Sequence, residues 1–288
     1  MTRWSKHTCL VLFFCALLTP VYAQDEVLVS PDRPGTGTGS EVLGAGCIQW
    51  ETGFECLHLL GTHILAMPTT LFRFGVHRRV ELRMEYTGTM AIFDHPDTDP
   101  ASQDEQIYTP EHLLLGTKVL LWDHRGGTLD QAWIPRTAVL GYIGLPMTKF
   151  MAEIWPIVGY LDLLFENDVT DWFSFGYNVG AHWTDWAPAP DIFASLELDF
   201  SPTNRLGLFV ECFNLFDPDA IELTTGKTYT HCHVNLDFGI SYAVHPRVQL
   251  DAYAGFNIYN SEPMISHPQN YAFFGFGVSW LIRHRPKT

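Results

Sequence analysis

The stretch Tyr271-Ala-Phe-Phe-Gly-Phe-Gly-Val-Ser-Trp-Leu-Ile282 sets Phe274, Phe276, Val278, Trp280 and Ile282 at every second position, with Gly275, Gly277 and Ser279 between them. In an extended strand a period of two sends these sets to opposite faces. One face is bulky and apolar, the other small or polar. Segments of about ten residues with this split, repeated along a chain, are what a strand needs when lipid lies on one side and an aqueous lumen on the other. The pattern predicts a chain that crosses a membrane without a membrane helix.

Working outward, the same alternation recurs in twelve segments, near 47–57, 69–77, 79–88, 113–122, 133–144, 155–165, 171–183, 191–200, 205–216, 230–243, 247–259 and 271–283. In the third, Val80, Leu82, Met84 and Tyr86 oppose Glu81, Arg83 and Glu85. In the tenth, Cys232, Val234, Leu236, Phe238 and Ile240 oppose His231, His233, Asn235, Asp237 and Gly239. A soluble sandwich would also alternate. Large aromatics on the apolar face, and Trp or Tyr near segment ends (Trp133, Trp155, Trp172, Trp183, Tyr242, Tyr259, Trp280), favour a closed barrel, which has no exposed edge. The expected fold is all-β: an antiparallel transmembrane barrel of about 12 strands. Short turns such as His77-Arg78 and Val244-His-Pro246 alternate with longer connections, above all 89–112, so the turns are assigned to the periplasm and the loops to the exterior.

The start of the chain agrees with export. Arg3 and Lys6 precede the apolar run Cys9 to Leu18, and Val21-Tyr22-Ala23 suits cleavage before Gln24. Four segments are expected: a signal peptide over 1–23, a flexible periplasmic lead-in over 24–46, the barrel over 47–283 and a short periplasmic tail over 284–288. Of 17 basic and 32 acidic residues, cleavage removes two basic ones, leaving a formal charge of −17, which disfavours nucleic acid as a partner. The expected partners are outer-membrane lipid, the barrel-assembly machinery and a small-molecule solute. Cys47, Cys56, Cys212 and Cys232 sit within alternating segments and read as small apolar residues.

By parity the inward ionisable residues are Glu51, Glu55, Arg73, Glu81, Arg83, Glu85, Lys118, Arg136, Glu197, Asp199, Glu211, Asp237 and Asp251, nine acids against four bases. Such groups either pair and fill the lumen or line water and favour cations. Glu211, flanked on its face by Phe209 and Phe213, is the candidate constriction residue. No metal or cofactor site is expected. His231 and His233 share a face, but no third ligand can be named for them. Gly35-Thr-Gly-Thr-Gly39 has the glycine content of a phosphate loop without its lysine and helix. Ser174 and His182 share a strand face but lie about 27 Å apart, too far for nucleophilic catalysis, and no Gly-x-Ser-x-Gly elbow occurs, so an enzyme is not expected.

Several short motifs also carry a resemblance. Asp32-Arg33-Pro34-Gly35, Thr70-Leu-Phe-Arg-Phe-Gly-Val-His77 running into Arg79-Val-Glu-Leu-Arg83, Leu115-Gly-Thr-Lys118, Gly176-Tyr-Asn-Val-Gly180, Asp237-Phe-Gly239 and Gln249-Leu-Asp251 resemble, in order, the outer-membrane family labelled "MetA-pathway of phenol degradation". The resemblance implies a porin-like barrel that passes small compounds, hydrophobic or aromatic ones among them. A plugged structural or adhesive barrel and a barrel hydrolase are the alternatives.

Overall fold

A computed structural model describes residues 28–59, 62–93, 105–123, 133–154, 157–184, 189–221, 228–261 and 271–284. The proposed signal peptide, the Asp94 to Pro100 loop and residues 285–288 lie outside them. Twelve strands follow one another around a closed ring: β1 (Ile48–Leu59), β2 (Thr62–His77), β3 (Val80–Phe93), β4 (Glu105–Trp122), β5 (Arg136–Leu145), β6 (Val158–Thr170), β7 (Phe173–Trp183), β8 (Asp191–Thr203), β9 (Leu206–Ile221), β10 (Thr228–His245), β11 (Val248–Asn260) and β12 (Ala272–Arg283). Every neighbouring pair is antiparallel, and β12 closes on β1 with Trp50 opposite Trp280. A six-residue helix, α1 (Lys149–Ile154), lies between β5 and β6.

Burial is the reverse of a soluble protein's. Leu82, Leu115, Ile143, Leu161, Leu196, Phe238, Leu250, Phe276 and Trp280 face outward and exposed, while Gln49, Glu51, Arg73, Glu81, Lys118, Glu211 and Asp237 are wholly enclosed. Such an outer surface is stable only against hydrocarbon, and ring closure pairs the backbone groups that lipid could not satisfy. This is the fold of outer-membrane barrels.

Two-residue turns at Arg78-Arg79, Asp171-Trp172, Asn204-Arg205 and Pro246-Arg247 mark one end, and Gly46 and the close of β12 lie there too. The opposite end is less uniform than the sequence suggests. β1 and β2 run on until only residues 60–61 separate them, and β3 and β4 consume much of 89–112. Pro68 and Pro110, which read as loop residues, lie inside strands. Proline cannot donate to a ladder, and both sit at register shifts, between Ala66 and Thr69 in β2 and opposite the shift between Tyr86 and Gly88 in β3. A bulge thus absorbs what parity reads as a break.

Candidate functional site

The lumen is occupied by the chain's own N-terminal segment. Residues 28–46, which the sequence suggests as a flexible lead-in, lie against the inner wall and make a circuit of it. The segment enters beside the β10–β11 turn, where the Leu28 and Val29 N–H groups donate to the Pro246 carbonyl. A small apolar anchor of Val29, Leu43, Cys47 and Leu281 closes this end. It leaves through a turn at Gly46, whose φ of 78° suits glycine, and Gly46 N–H donates to Gly75 O at 2.6 Å.

Between those points, wall side chains satisfy the segment's backbone. Glu51 accepts from Asp32 N–H at 3.1 Å, Asn178 from Thr38 N–H at 2.8 Å, Glu166 from Ser40 N–H at 3.3 Å and Glu81 from Leu43 N–H at 2.7 Å. Glu211 takes two bonds, from Thr36 and Gly37 N–H, both at 2.7 Å. The Gly-Thr-Gly-Thr-Gly stretch, read from sequence as a flexible lead-in, therefore contains an anion nest whose anion is a carboxylate of the barrel wall. At two of its three glycines the approach is close, and a side chain there would have to push a wall carboxyl or hydroxyl aside. A Cβ at Gly37 would lie 2.7 Å from Glu211 Oε1 and 2.8 Å from Ser195 Oγ, and one at Gly35 would lie 2.7 Å from Glu197 Oε2.

The charged half of the lumen is built by β1 to β6. Arg73 bonds Glu81 at 2.8 Å, Glu51 at 3.1 Å and the Ser30 carbonyl at 2.6 Å. Arg83 pairs with Asp32 at 2.5 Å and donates to Tyr142 Oη at 2.5 Å. Lys118 holds both Asp32 oxygens, at 3.0 and 2.9 Å, and the Gly39 and Glu41 carbonyls. Arg136 pairs with Glu166 and donates to Ser40 Oγ at 2.9 Å. Asp32 thus faces three cations. Burial alone would raise its pKa, but Arg73, Lys118 and Arg83 outweigh burial and hold the carboxyl well below the usual carboxylate range.

The opposite wall carries acids with little compensation. Arg33, reaching from the segment into the space left by Gly53 and Gly277, pairs with Asp251 at 3.2 Å and donates to Thr69 at 3.2 Å. Glu197, Glu211 and Asp237 are direct cross-strand neighbours on β8, β9 and β10. Among the described residues none of the three forms an ion pair. Both Asp237 carboxylate oxygens are buried without a hydrogen-bond partner.

The sequence-derived lumen residues thus divide. Glu51, Arg73, Glu81, Arg83, Lys118 and Arg136 join one network; Glu85 lies beside Arg83 and Tyr142, and Glu55 accepts from Tyr253 Oη at 2.5 Å. Glu197 and Asp199 line a cavity, and Glu211 is covered by the segment instead of bordering an open constriction. Phe209 is buried near Gly239, while Phe213 packs edge-on against Phe273, 6.1 Å between centroids. His231 and His233 lie side by side, 3.9 Å between centroids, with His231 Nε2 2.8 Å from Asn260 Oδ1. Ser174 lines the cavity, whereas His182 bonds Asp162 at 2.8 Å elsewhere on the wall.

Parity missed Asp32, Glu166, Asn178 and Ser195. The first lies in a segment with no strand pattern, the second falls between the sixth and seventh alternating segments, and the last two are uncharged. The Asp32-Arg33-Pro34-Gly35 motif was the available signal for the first.

No known family's sequence profile matches the chain, and no curated protein matches it. Solved structures do. The COG4313 outer-membrane channel of Pseudomonas putida F1 superposes with a TM-score of 0.60 at 9% identity, covering 87% of this chain and 99% of the other. The NanC porin superposes with a TM-score of 0.52 at 8% identity, covering 81% of this chain and 100% of the other. At these identities the likeness is one of fold: the chain has the architecture of outer-membrane channel and porin barrels.

Proposed function

We propose that this protein is an outer-membrane passive channel for small solutes, closed in the present state by its own N-terminal segment. The resemblance to the phenol-degradation family of transporters and the fold shared with a channel and a porin support the reading. The observation that carries it is how residues 28–46 are held. Between Ser30 and Leu43 the segment's backbone is held by wall side chains, not by the strand ladder. It can therefore leave the lumen without unzipping a strand, which a permanent structural filler has no need of.

Planar-bilayer conductance of the refolded chain tests this, with Thr36→Pro/Glu211→Gln as the comparison, which removes one nest donor and the anion it serves. Brief, rare openings in the parent that become frequent and cation-selective in the variant support the channel. Silence in both, with each barrel shown folded by its gel mobility, leaves the non-transporting barrel as the better reading.

A further inference from the structure

Bases outside the lumen are sorted as sharply as those within it. Arg33, Arg73, Arg83, Lys118 and Arg136 are spent on the N-terminal segment and its network, and Lys149 lies in α1. The other described bases are Arg78, Arg79, Arg205, Arg247 and Arg283, and all of them sit at the turn end of the barrel. They belong to the β2–β3, β8–β9 and β10–β11 turns and to the close of β12, so around the ring they form one arc from β8 through β12 and β1 to β3. No exposed acid interrupts the arc at this end among the described residues; Asp123, Asp168 and Asp171 lie on the remaining side, at β4 to β7.

The backbone of the arc is fixed while its charges are not. Leu120 N–H donates to Arg79 O at 2.9 Å, Ala243 N–H to Arg205 O at 2.8 Å and Leu281 N–H to Arg247 O at 2.8 Å, each tying a turn to the neighbouring strand. None of these arginines forms an ion pair among the described residues, and all but the half-buried Arg205 are exposed.

Its height is set by what adjoins it. Val76, Leu208, Val244 and Ile282 point outward and are exposed, and each stands one to three positions from an arginine of the arc. At 3.3–3.4 Å per residue every turn of the arc therefore begins within about 10 Å of the last lipid-facing apolar side chain. Trp280 and Tyr242 lie just inside it, where interfacial aromatics gather. Headgroups occupy roughly 5–8 Å beyond the hydrocarbon on each side, so the guanidinium groups reach their level. Successive members are about two strands apart, roughly 10 Å, which is also about the screening length in 0.1 M salt. That spacing suits separate, singly charged phosphodiesters better than one compact polyanion. We infer that the arc binds the headgroups of anionic phospholipids in the leaflet that meets the turns. The inference is independent of solute passage and takes the turn end as the periplasmic one.

Brominated lipids quench tryptophan fluorescence on contact, and Trp280 and its cross-strand neighbour Trp50 adjoin the arc. The test places the refolded full chain in mixed vesicles of phosphatidylglycerol and phosphatidylcholine, with one lipid brominated and then the other, to obtain their relative affinities. Phosphatidylglycerol is expected to be favoured about fivefold, the effect of one base near an anionic surface, and the preference to vanish in 1 M salt, where screening acts within about 3 Å. Arg78→Gln/Arg79→Gln/Arg247→Gln/Arg283→Gln should lose the preference at unchanged unheated gel mobility, while lysine at the same positions should keep it. Should the glutamine variant misfold, the salt dependence of the parent decides. No preference, one indifferent to salt, or one that the glutamine variant retains would each overturn the proposal. Loss of the preference to micromolar polyglutamate would overturn it in favour of an acidic soluble protein, and equal competition by free glycerol phosphate in favour of a simple anion site.

Discussion

Leu236 and Asn235 are adjacent on β10, and parity alone assigns them opposite fates: the first to lipid, the second to a tolerant lumen. The outward assignment makes Leu236→Arg costly by about 2–4 kcal/mol if it lies near the bilayer midplane. The inward one is not tolerant, because Asn235 Oδ1 accepts from Tyr271 Oη at 2.7 Å and from Asn257 Nδ2 at 3.0 Å, and the residue is 3% exposed. Arginine there would take the acceptor from the Tyr271 hydroxyl, at roughly 1–3 kcal/mol, and would enclose an unpaired charge, although Asn257 Nδ2 keeps the Val234 and Tyr259 carbonyls. We therefore expect comparable losses in urea-gradient refolding for Leu236→Arg and Asn235→Arg, with Asn235→Asp far milder because it keeps the acceptor. Gly37→Val is expected to expel the nest residue from Glu211 and Ser195 while leaving the barrel folded. Faster protease cleavage within 28–46 at unchanged gel mobility is the measurement.

As an element, the N-terminal segment depends on Asp32 more than on any other side chain. Three cations converge on it, and removing its charge leaves them buried with less compensation. Breaking such a buried arrangement costs about 3–5 kcal/mol. Asp32→Asn is accordingly expected to undock the segment, read as exposure of a cysteine introduced at Thr38 to a water-soluble maleimide. The pH dependence follows from the same contacts. A carboxyl whose folded pKa is lowered adds stability that is fully present above its unfolded pKa, about 3.9, and is lost as pH falls through the folded value. Asp32's contribution to docking should therefore persist through mild acid and fade only below the ordinary carboxylate range. Labelling that already rises between pH 6 and pH 5 would place the controlling group elsewhere.

At the scale of the whole molecule, each strand finds partners on both sides, so unfolding one exposes unpaired backbone on two others. We expect the refolded chain to migrate differently before and after boiling on a detergent gel, and to fractionate with the outer membrane. Recovery as a soluble periplasmic protein would contradict the fold. The lumen's charges are sorted as well: bases and their acids on β1 to β6, uncompensated acids on β8 to β10. That asymmetry, more than a count of nine acids against four bases, is what a permeating ion would meet.

The sequence by itself determined the ring: twelve strands, their faces and the end that carries the turns. Those properties are local, since period two, aromatic placement and turn chemistry are written in each segment and need only lipid on one side to be read. Parity also carries through a strand, and it singled out Arg73, Glu81 and Lys118, which the barrel encloses. Strand ends at Pro68 and Pro110 escaped it, since a bulge hides a proline that a flat alternation rejects. Only the tertiary structure decided what fills the lumen. Residues 28–46 have no periodicity of their own, and their conformation comes from side chains such as Arg73, Lys118, Asn178, Glu211 and Asp251, brought together by closure from positions up to 218 residues away. A pattern within a segment cannot encode a partner on the far wall.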